Sequence, residues 1–446
     1  MHTKGMQNPL PPKREPGWLE RARTAFAPED ADGTTTPEGR KRAMALLFMC
    51  LIANGLGQTL MFAILPPLAT DLKLTEFQIG SIFAVSATLW VFSSAYWGAR
   101  SDVWGRRPVL LIGVAAFGIS TLAFASVLQF GLLGLLAPAT TYVLMIVTRS
   151  IYGTFGAGAY PAAQAYIADR TSAQERTEGM AMLNAAFGLG AAIGPGVGAA
   201  LTVFGVVAPL YFVAFMAFLS TAAIWLLLPE RSRPVERKIE KALSWFDPRV
   251  FPFVIFAVIQ GTAGSIPVQT IAFLIRDTLH LPTSETQQLA GVALMGSAIA
   301  ALFAQFVLVQ RFKLTSRFLI YAGIIVAIAS NLMVIVATNY GLLAFALVLS
   351  GLGFGMLRPG IAAAASLSVS ADEQGAVAGL TGGAGAAGFI FAPLIGNALY
   401  SWSSIAPYWL ATVLLAILFL YVASNTRIKS AVIQTFDENS SPGPMS

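Results

Sequence analysis

The sequence predicts an all-α polytopic membrane protein: twelve transmembrane helices in two pseudo-symmetric six-helix bundles. Three observations lead there. Of 446 residues, 56% are hydrophobic and only 11% charged, against about 25% charged in soluble domains, and the mean hydropathy is +0.69. Apolar runs of the length that crosses a bilayer, roughly 20 residues, recur twelve times. The positive residues fall almost entirely on one side of the resulting weave.

The chain begins with a polar segment bearing prolines and acids (Glu29, Asp30, Asp32). It lacks the basic-then-apolar layout of a signal peptide, so residues 1–42 read as a disordered cytoplasmic tail. The runs follow near 43–68, 79–97, 108–128, 139–166, 179–203, 207–228, 250–275, 286–309, 318–338, 341–368, 376–400 and 405–424. A polar stretch at 229–249 divides them into bundles at 43–228 and 250–424, and 425–446 is a second tail.

Of the 28 Lys and Arg, 19 lie at the end of the N-tail, in the 2–3, 4–5, central and 8–9 loops, and in the C-tail, whereas the opposite loops hold only Lys73 and Arg276. Positive residues stay in the cytoplasm during insertion, so both termini are expected there, in a cell (inner or plasma) membrane. The net charge of +6 is therefore topological and not a nucleic-acid footprint. Cys50 is the single cysteine and His2 and His280 the only histidines, which excludes an intramolecular disulfide and argues against a metal or catalytic centre built from them. No nucleophile–base pattern occurs, and the glycines of Gly379–Gly388 lack the Lys-Ser/Thr of a phosphate loop. Neither enzyme activity nor a cofactor is expected.

The two halves repeat. Gly190-x3-Gly194-Pro195-x2-Gly198 in span five returns as Gly388-x3-Ala392-Pro393-x2-Gly396 in span eleven, 198 residues later, and the same offset pairs Gly153 with Gly351, Pro161 with Pro359 and Glu175 with Glu373. Repeats of this kind place a substrate site between the halves near the bilayer midplane.

Between spans two and three lies Gly98-Ala-Arg-Ser-Asp102-Val-Trp-Gly105-Arg106-Arg107. It reads as a short polar connector, with glycines for a tight turn and Asp102 placed to cap the next helix. Within the spans, only Arg149 and Arg358 are ionisable. Burying such a group costs about 2.5–3.5 kcal/mol, so each is a functional candidate by default. The alternative for Arg149 is to hydrogen-bond backbone carbonyls and staple helices, and for Arg358 to snorkel to the interface. Asn54, Gln58 and Phe62 share one face of span one, either lining a cavity or bonding neighbouring helices. Tyr152, Tyr160 and Gln164 in span four, Asn184 in span five, and Gln260 and Gln269 in span seven are further cavity candidates. With many Phe and Met they suit a large, mostly apolar pocket. Every Asp and Glu falls in loops, tails or span ends.

The 98–107 segment resembles the 2–3 signature of the major facilitator superfamily, G-x-L-x-D-x-x-G-R-R/K, through Gly98, Asp102, Gly105, Arg106 and Arg107; Arg100 stands where Leu is usual. Arg149-x3-Gly153-x2-Gly156-x-Gly158 is similar to the family's fourth-helix motif. Gly190, Gly194, Pro195 and Gly198 resemble the fifth-helix signature of its exporting, tetracycline-exporter-like branch, as does Tyr166-Ile-Ala-Asp169 with Glu175-Arg176. The resemblance covers about residues 40–425. It implies a monomeric drug-efflux antiporter for small, largely apolar or amphipathic molecules, with proton coupling expected although Asn54 stands where a helix-one carboxylate is usual. It also implies that Arg149 serves proton transfer or substrate charge, and that Asp169 and Arg176 join the 2–3 segment as an inner gate. Uptake or facilitated diffusion of a small organic anion or metabolite is the alternative. A receptor or scaffold is disfavoured by the short loops.

Overall fold

A computed structural model describes residues 36–171, 173–229, 243–312, 314–370, 373–425 and 428. Among them all regular structure is helical. The first half holds Pro37–Ile64, Glu76–Trp104, Arg106–Leu132, a broken fourth span (Pro138–Phe155 and Ala159–Ala168), Ala173–Leu201 and Ala208–Leu227. The second holds Phe251–Leu279, Thr283–Phe303 with a wider turn at Ala304–Val309, Ser316–Val336, Tyr340–Leu367, Gln374–Ala386 joined to Gly388–Trp402, and Ala406–Ser424. Eleven of these spans are continuous and apolar enough to cross a membrane. The fourth is interrupted at Gly156–Gly158, and its longer part carries Arg149 and four threonines.

The ends follow local chemistry. Thr36 caps the first helix by accepting from the Gly39 amide at 3.1 Å, so this helix starts at Pro37 and claims residues assigned above to the tail. Thr75 and Gln78 form a reciprocal capping box on span two. Gly105 and Gly205 leave their helices at φ 96° and 130°, a region that side chains with a Cβ avoid. The segment between spans two and three is shorter than the sequence suggests. Helix runs through Trp104, and Gly105 alone makes the turn. Asp102 therefore lies in the last turn of span two and caps nothing.

Small residues set the closest helix contacts, and they repeat. A Cβ on Gly190 would lie 2.1 Å from the Ile52 carbonyl oxygen in span one, and a Cβ on Gly388 2.2 Å from the Gly261 carbonyl carbon in span seven. Likewise Gly153 would meet Ser86 O at 2.5 Å in span two, and Gly351 would meet Ser297 O at 1.8 Å in span eight. Glycines at equal offset thus touch equivalent spans of each half, which is the repeat expressed in packing.

The core is arranged asymmetrically. On the face away from the chain termini, called distal below, one hydrophobic cluster draws from both halves, joining Leu60, Ile64 and Phe83 to Phe273, Leu294 and Tyr408. On the terminal face the core splits. One cluster (Leu47, Trp97, Tyr166, Leu228) belongs to the first half and another (Phe253, Ile320, Leu357, Leu418) to the second.

Candidate functional site

The distal seam is built from short, polar and shape-matched contacts. A Cβ on Gly80 in span two would lie 2.3 Å from Pro393 O in span eleven, and one on Gly291 in span eight 2.4 Å from Pro195 O in span five. Backbones this close exclude any side chain between them. Around them, Arg276 at the end of span seven donates to Asp277 at 2.7 Å, to Thr70 at 2.9 Å and to Glu76 at 3.4 Å. Tyr400 donates to the other oxygen of Asp277 at 2.8 Å, Ser401 to Glu76 at 3.3 Å, and Thr283 to Asp71 at 2.6 Å. Asn397 donates to Glu76 O at 3.1 Å, and buried Gln287 to Ile64 O at 2.9 Å. Most of these bonds cross between halves.

Sequence reasoning passed over this network. Its one visible signal was Arg276, an isolated positive residue on the side that otherwise carries only Lys73.

On the terminal face the described charge pairs lie within one half. Arg106 pairs with Asp102 one turn back, donates to Ser101 at 2.6 Å, and pairs with Asp169 at the end of span four at 2.8 Å. Arg107 donates to the Trp225 carbonyl in span six at 2.5 Å, fixing the last turn of that helix. Arg100 lies over Tyr96 and Trp104. The described bonds of Asp102 and Arg106 thus tie spans two, three and four of one half together. The side chain of Arg176 lies outside the described residues. In the second half, two bonds from Arg249, at 2.8 and 3.0 Å, and one from Ser370 hold the Glu373 carboxyl at about 2, well below its ordinary 4.5.

Between the two faces sits Arg149, 4% exposed. One of its nitrogens donates to Gln58 of span one at 3.0 Å, and its guanidinium lies 4.9 Å from the Tyr152 ring centre. Nε and Nη1 have no partner in the structure. Ser86 anchors the Arg149 backbone carbonyl at 3.2 Å. Of the face proposed on span one, Gln58 therefore meets Arg149, Phe62 packs on Phe83 and stacks with Phe389 of span eleven at 6.3 Å, and Asn54 is buried with its Oδ1 unpaired. Phe62 and Phe389 join the halves where the distal seam begins. Tyr160 bonds Asn184 and its ring lies 5.6 Å from Phe187, with Gln164 beside it. The Tyr160–Asn184 bond is exposed.

Other candidates are placed differently. Tyr152 is buried against Phe117. Gln260 is buried, and Gln269 is 1% exposed with neither amide atom paired. Gly190, Gly194, Pro195 and Gly198 all serve close packing, with Gly194 against Leu56 O. Gly98 approaches the ring of Pro161. Arg358 is exposed on span ten. Among the described residues no group of three or more His, Cys, Asp or Glu converges.

A sequence profile of the Major Facilitator Superfamily matches residues 47–309 and 253–440. Multidrug resistance protein 1 of Bacillus subtilis (strain 168) is 25% identical over 386 residues, 85% of this chain and 95% of that protein. Tetracycline resistance protein, class D, of Salmonella ordonez is 28% identical over 396 residues, 80% of this chain and 93% of that protein. Among solved structures, a bacterial homologue of the human lysosomal transporter Spinster, inward-facing and occupied, superposes with a TM-score of 0.65 at 14% identity, covering 91% of this chain and 99% of that one.

Proposed function

The chain belongs to the Major Facilitator Superfamily, and on that premise we propose that it exports small, amphipathic, largely apolar molecules by alternating access. The relatives named for multidrug and tetracycline resistance support export. The observation that carries the mechanism is the asymmetric core: one apolar cluster shared by both halves distally, and two separate clusters at the terminal face. Two rigid bundles that meet at one end and part at the other can exchange which end is closed by rocking. The protein acts as a monomer in the cytoplasmic membrane, with the terminal face inward, as the 19-to-2 distribution of Lys and Arg supports. The state described is then the inward-open one.

Proton coupling belongs to this reading, and the distal seam supplies its groups. Asn54 cannot titrate, whereas Asp71, Glu76 and Asp277 hold bonds at the seam. A proton on Glu76 removes a charged partner of Arg276. The groups facing that carboxylate are Arg276, Ser401 and, through Arg276, Asp277 and Tyr400. Everted vesicles from an efflux-deficient host expressing the chain test both parts. Accumulation of a hydrophobic dye that collapses with the pH gradient is the expected result. Accumulation indifferent to that gradient removes the coupling, and no accumulation removes export.

A further inference from the structure

Arg358 is an intramembrane charge that the mechanism above does not use. It is exposed, and no hydrogen bond or ion pair joins it to a described residue. Burying a guanidinium in a span without a partner is costly, so its position needs a reason. The lipid-facing side of span ten is marked by Phe345, 52% exposed. At 3.6 residues per turn, Arg358 lies roughly 140° around the helix from Phe345 and about 40° from Phe354. Phe354 faces span seven, its ring 3.0 Å from where a Cβ on Gly264 would sit. Arg358 therefore lies on the side of span ten turned toward span seven, away from the face marked by Phe345.

The repeat locates it further. Arg358 follows Tyr160 by the 198-residue offset, as Pro359 follows Pro161. Tyr160 bonds Asn184 of span five in an exposed hydrogen bond and lies against Phe187. The counterparts of that wall in span eleven are Gly382 and Gly385, and a Cβ on Gly375, Gly379 or Gly382 would meet nothing within 4 Å. Where the first half fills this place with a tyrosine and an asparagine, the second leaves open space beside a guanidinium.

We propose that Arg358 receives the anionic head, a carboxylate or sulfonate, of an otherwise apolar cargo at the terminal mouth of the cavity. This rests on the transport reading above. The charge balance points the same way. Arg149 stands 11 residues before Tyr160, hence roughly 16 Å deeper along the repeat, and has two unpaired N–H nitrogens. No described carboxylate is bonded to either guanidinium. A passage carrying both attracts anions and repels cations of equal bulk, and a guanidinium is the side chain best matched to an oxyanion. The Phe62–Phe389 pair offers the apolar tail a ceiling.

The test uses the full chain in proteoliposomes with two probes of similar ring system, anionic 8-anilinonaphthalene-1-sulfonate and neutral N-phenyl-1-naphthylamine. The expected result is that Arg358→Gln lowers transport of the sulfonate about tenfold and leaves the neutral probe within about twofold, while Arg358→Lys retains most sulfonate transport. Equal loss of both probes, or no loss of the sulfonate, overturns the proposal. Wild-type protein that moves only the neutral probe overturns it and leaves export standing, whereas protein that moves neither overturns export as well. The same assay in purely zwitterionic lipid separates a cargo from a lipid headgroup. An Arg358→Gln defect that vanishes there assigns the residue to an anionic lipid and sinks the cargo reading.

Discussion

The two ends of the groove between the halves are closed by different means, and the difference shows which end is committed in this state. The distal end uses backbone-to-backbone approach at Gly80 and Gly291, then crosses the seam with Arg276, Asn397, Thr283 and Gln287. The terminal end spends its described charge within halves: Arg106 on Asp102 and Asp169 in the first, Arg249 on Glu373 in the second. Shape-matched contact is short-ranged and all-or-none. Charge pairs inside a bundle keep it rigid and leave it free to move as a body. A rocking transporter needs both properties, one at each end, exchanged once per cycle.

The sharpest break comes from adding bulk at the distal seam. Gly80→Val or Gly291→Val would drive a Cβ into the Pro393 or Pro195 carbonyl and should cost this state about 1–3 kcal/mol. Spin labels on the distal turns at Lys73 and His280 should then report a longer distance. The matching change on the other side, Gly379→Val, meets open space and should leave that distance unaltered. Equal effects from both would show that the seam is not where the closure resides.

Removing charge from the seam should act less strongly. Arg276→Gln loses the pairings with Glu76 and Asp277 while retaining some capacity to hydrogen-bond Thr70. At a partly screened site this is about 1–2 kcal/mol. The distal distance should broaden toward the open population without fully shifting.

Asp102→Asn sharpens the comparison from the terminal side. The side chain of Asp102 is 48% exposed, so its pairing with Arg106 is worth under about 1 kcal/mol while it stays within one half. The distal distance should not change here. If terminal closure brings Asp102 a charge-assisted contact from the second half, the outward-open population should fall by an amount equivalent to about 1–3 kcal/mol. Unchanged populations under conditions that favour the outward-open state would rule out an inner gate at Asp102.

Much of this architecture was legible in the sequence because hydrophobic length and positive charge are read one residue at a time. The twelve spans, the repeat of Gly190 and Gly388, and the isolation of Arg149 all follow from spacing. What escaped depends on which helices meet. Gln269 looked like a pocket residue since polarity in a span usually faces an opening, yet packing encloses it. Asp102 looked like a cap because Gly98 and Gly105 suggest a loop, but nothing in between stops a helix, and the aspartate turns to Arg106. The Arg276 network joins residues some 200 positions apart, beyond any local pattern. Span four hid its interruption at Gly156–Gly158 because glycines in lipid usually mean packing.

The smallest effect concerns the second half alone, and it separates rigidity of a bundle from closure of the groove. Arg249, just before span seven, holds Glu373, just before span eleven, and keeps its carboxyl ionised down to about 2. A carboxylate held below its ordinary 4.5 stabilises the folded form above that ordinary value, and the contribution is lost as pH falls through about 2. Thermal unfolding of the wild type and of Glu373→Gln should therefore differ by a constant margin at neutral pH, and the margin should shrink on acidification between those limits. Both residues lie outside the distal seam and within one half, so the Lys73–His280 distance should stay the same in Glu373→Gln at neutral pH. A change there would mean that this pair, though confined to one bundle, biases which end of the groove is closed.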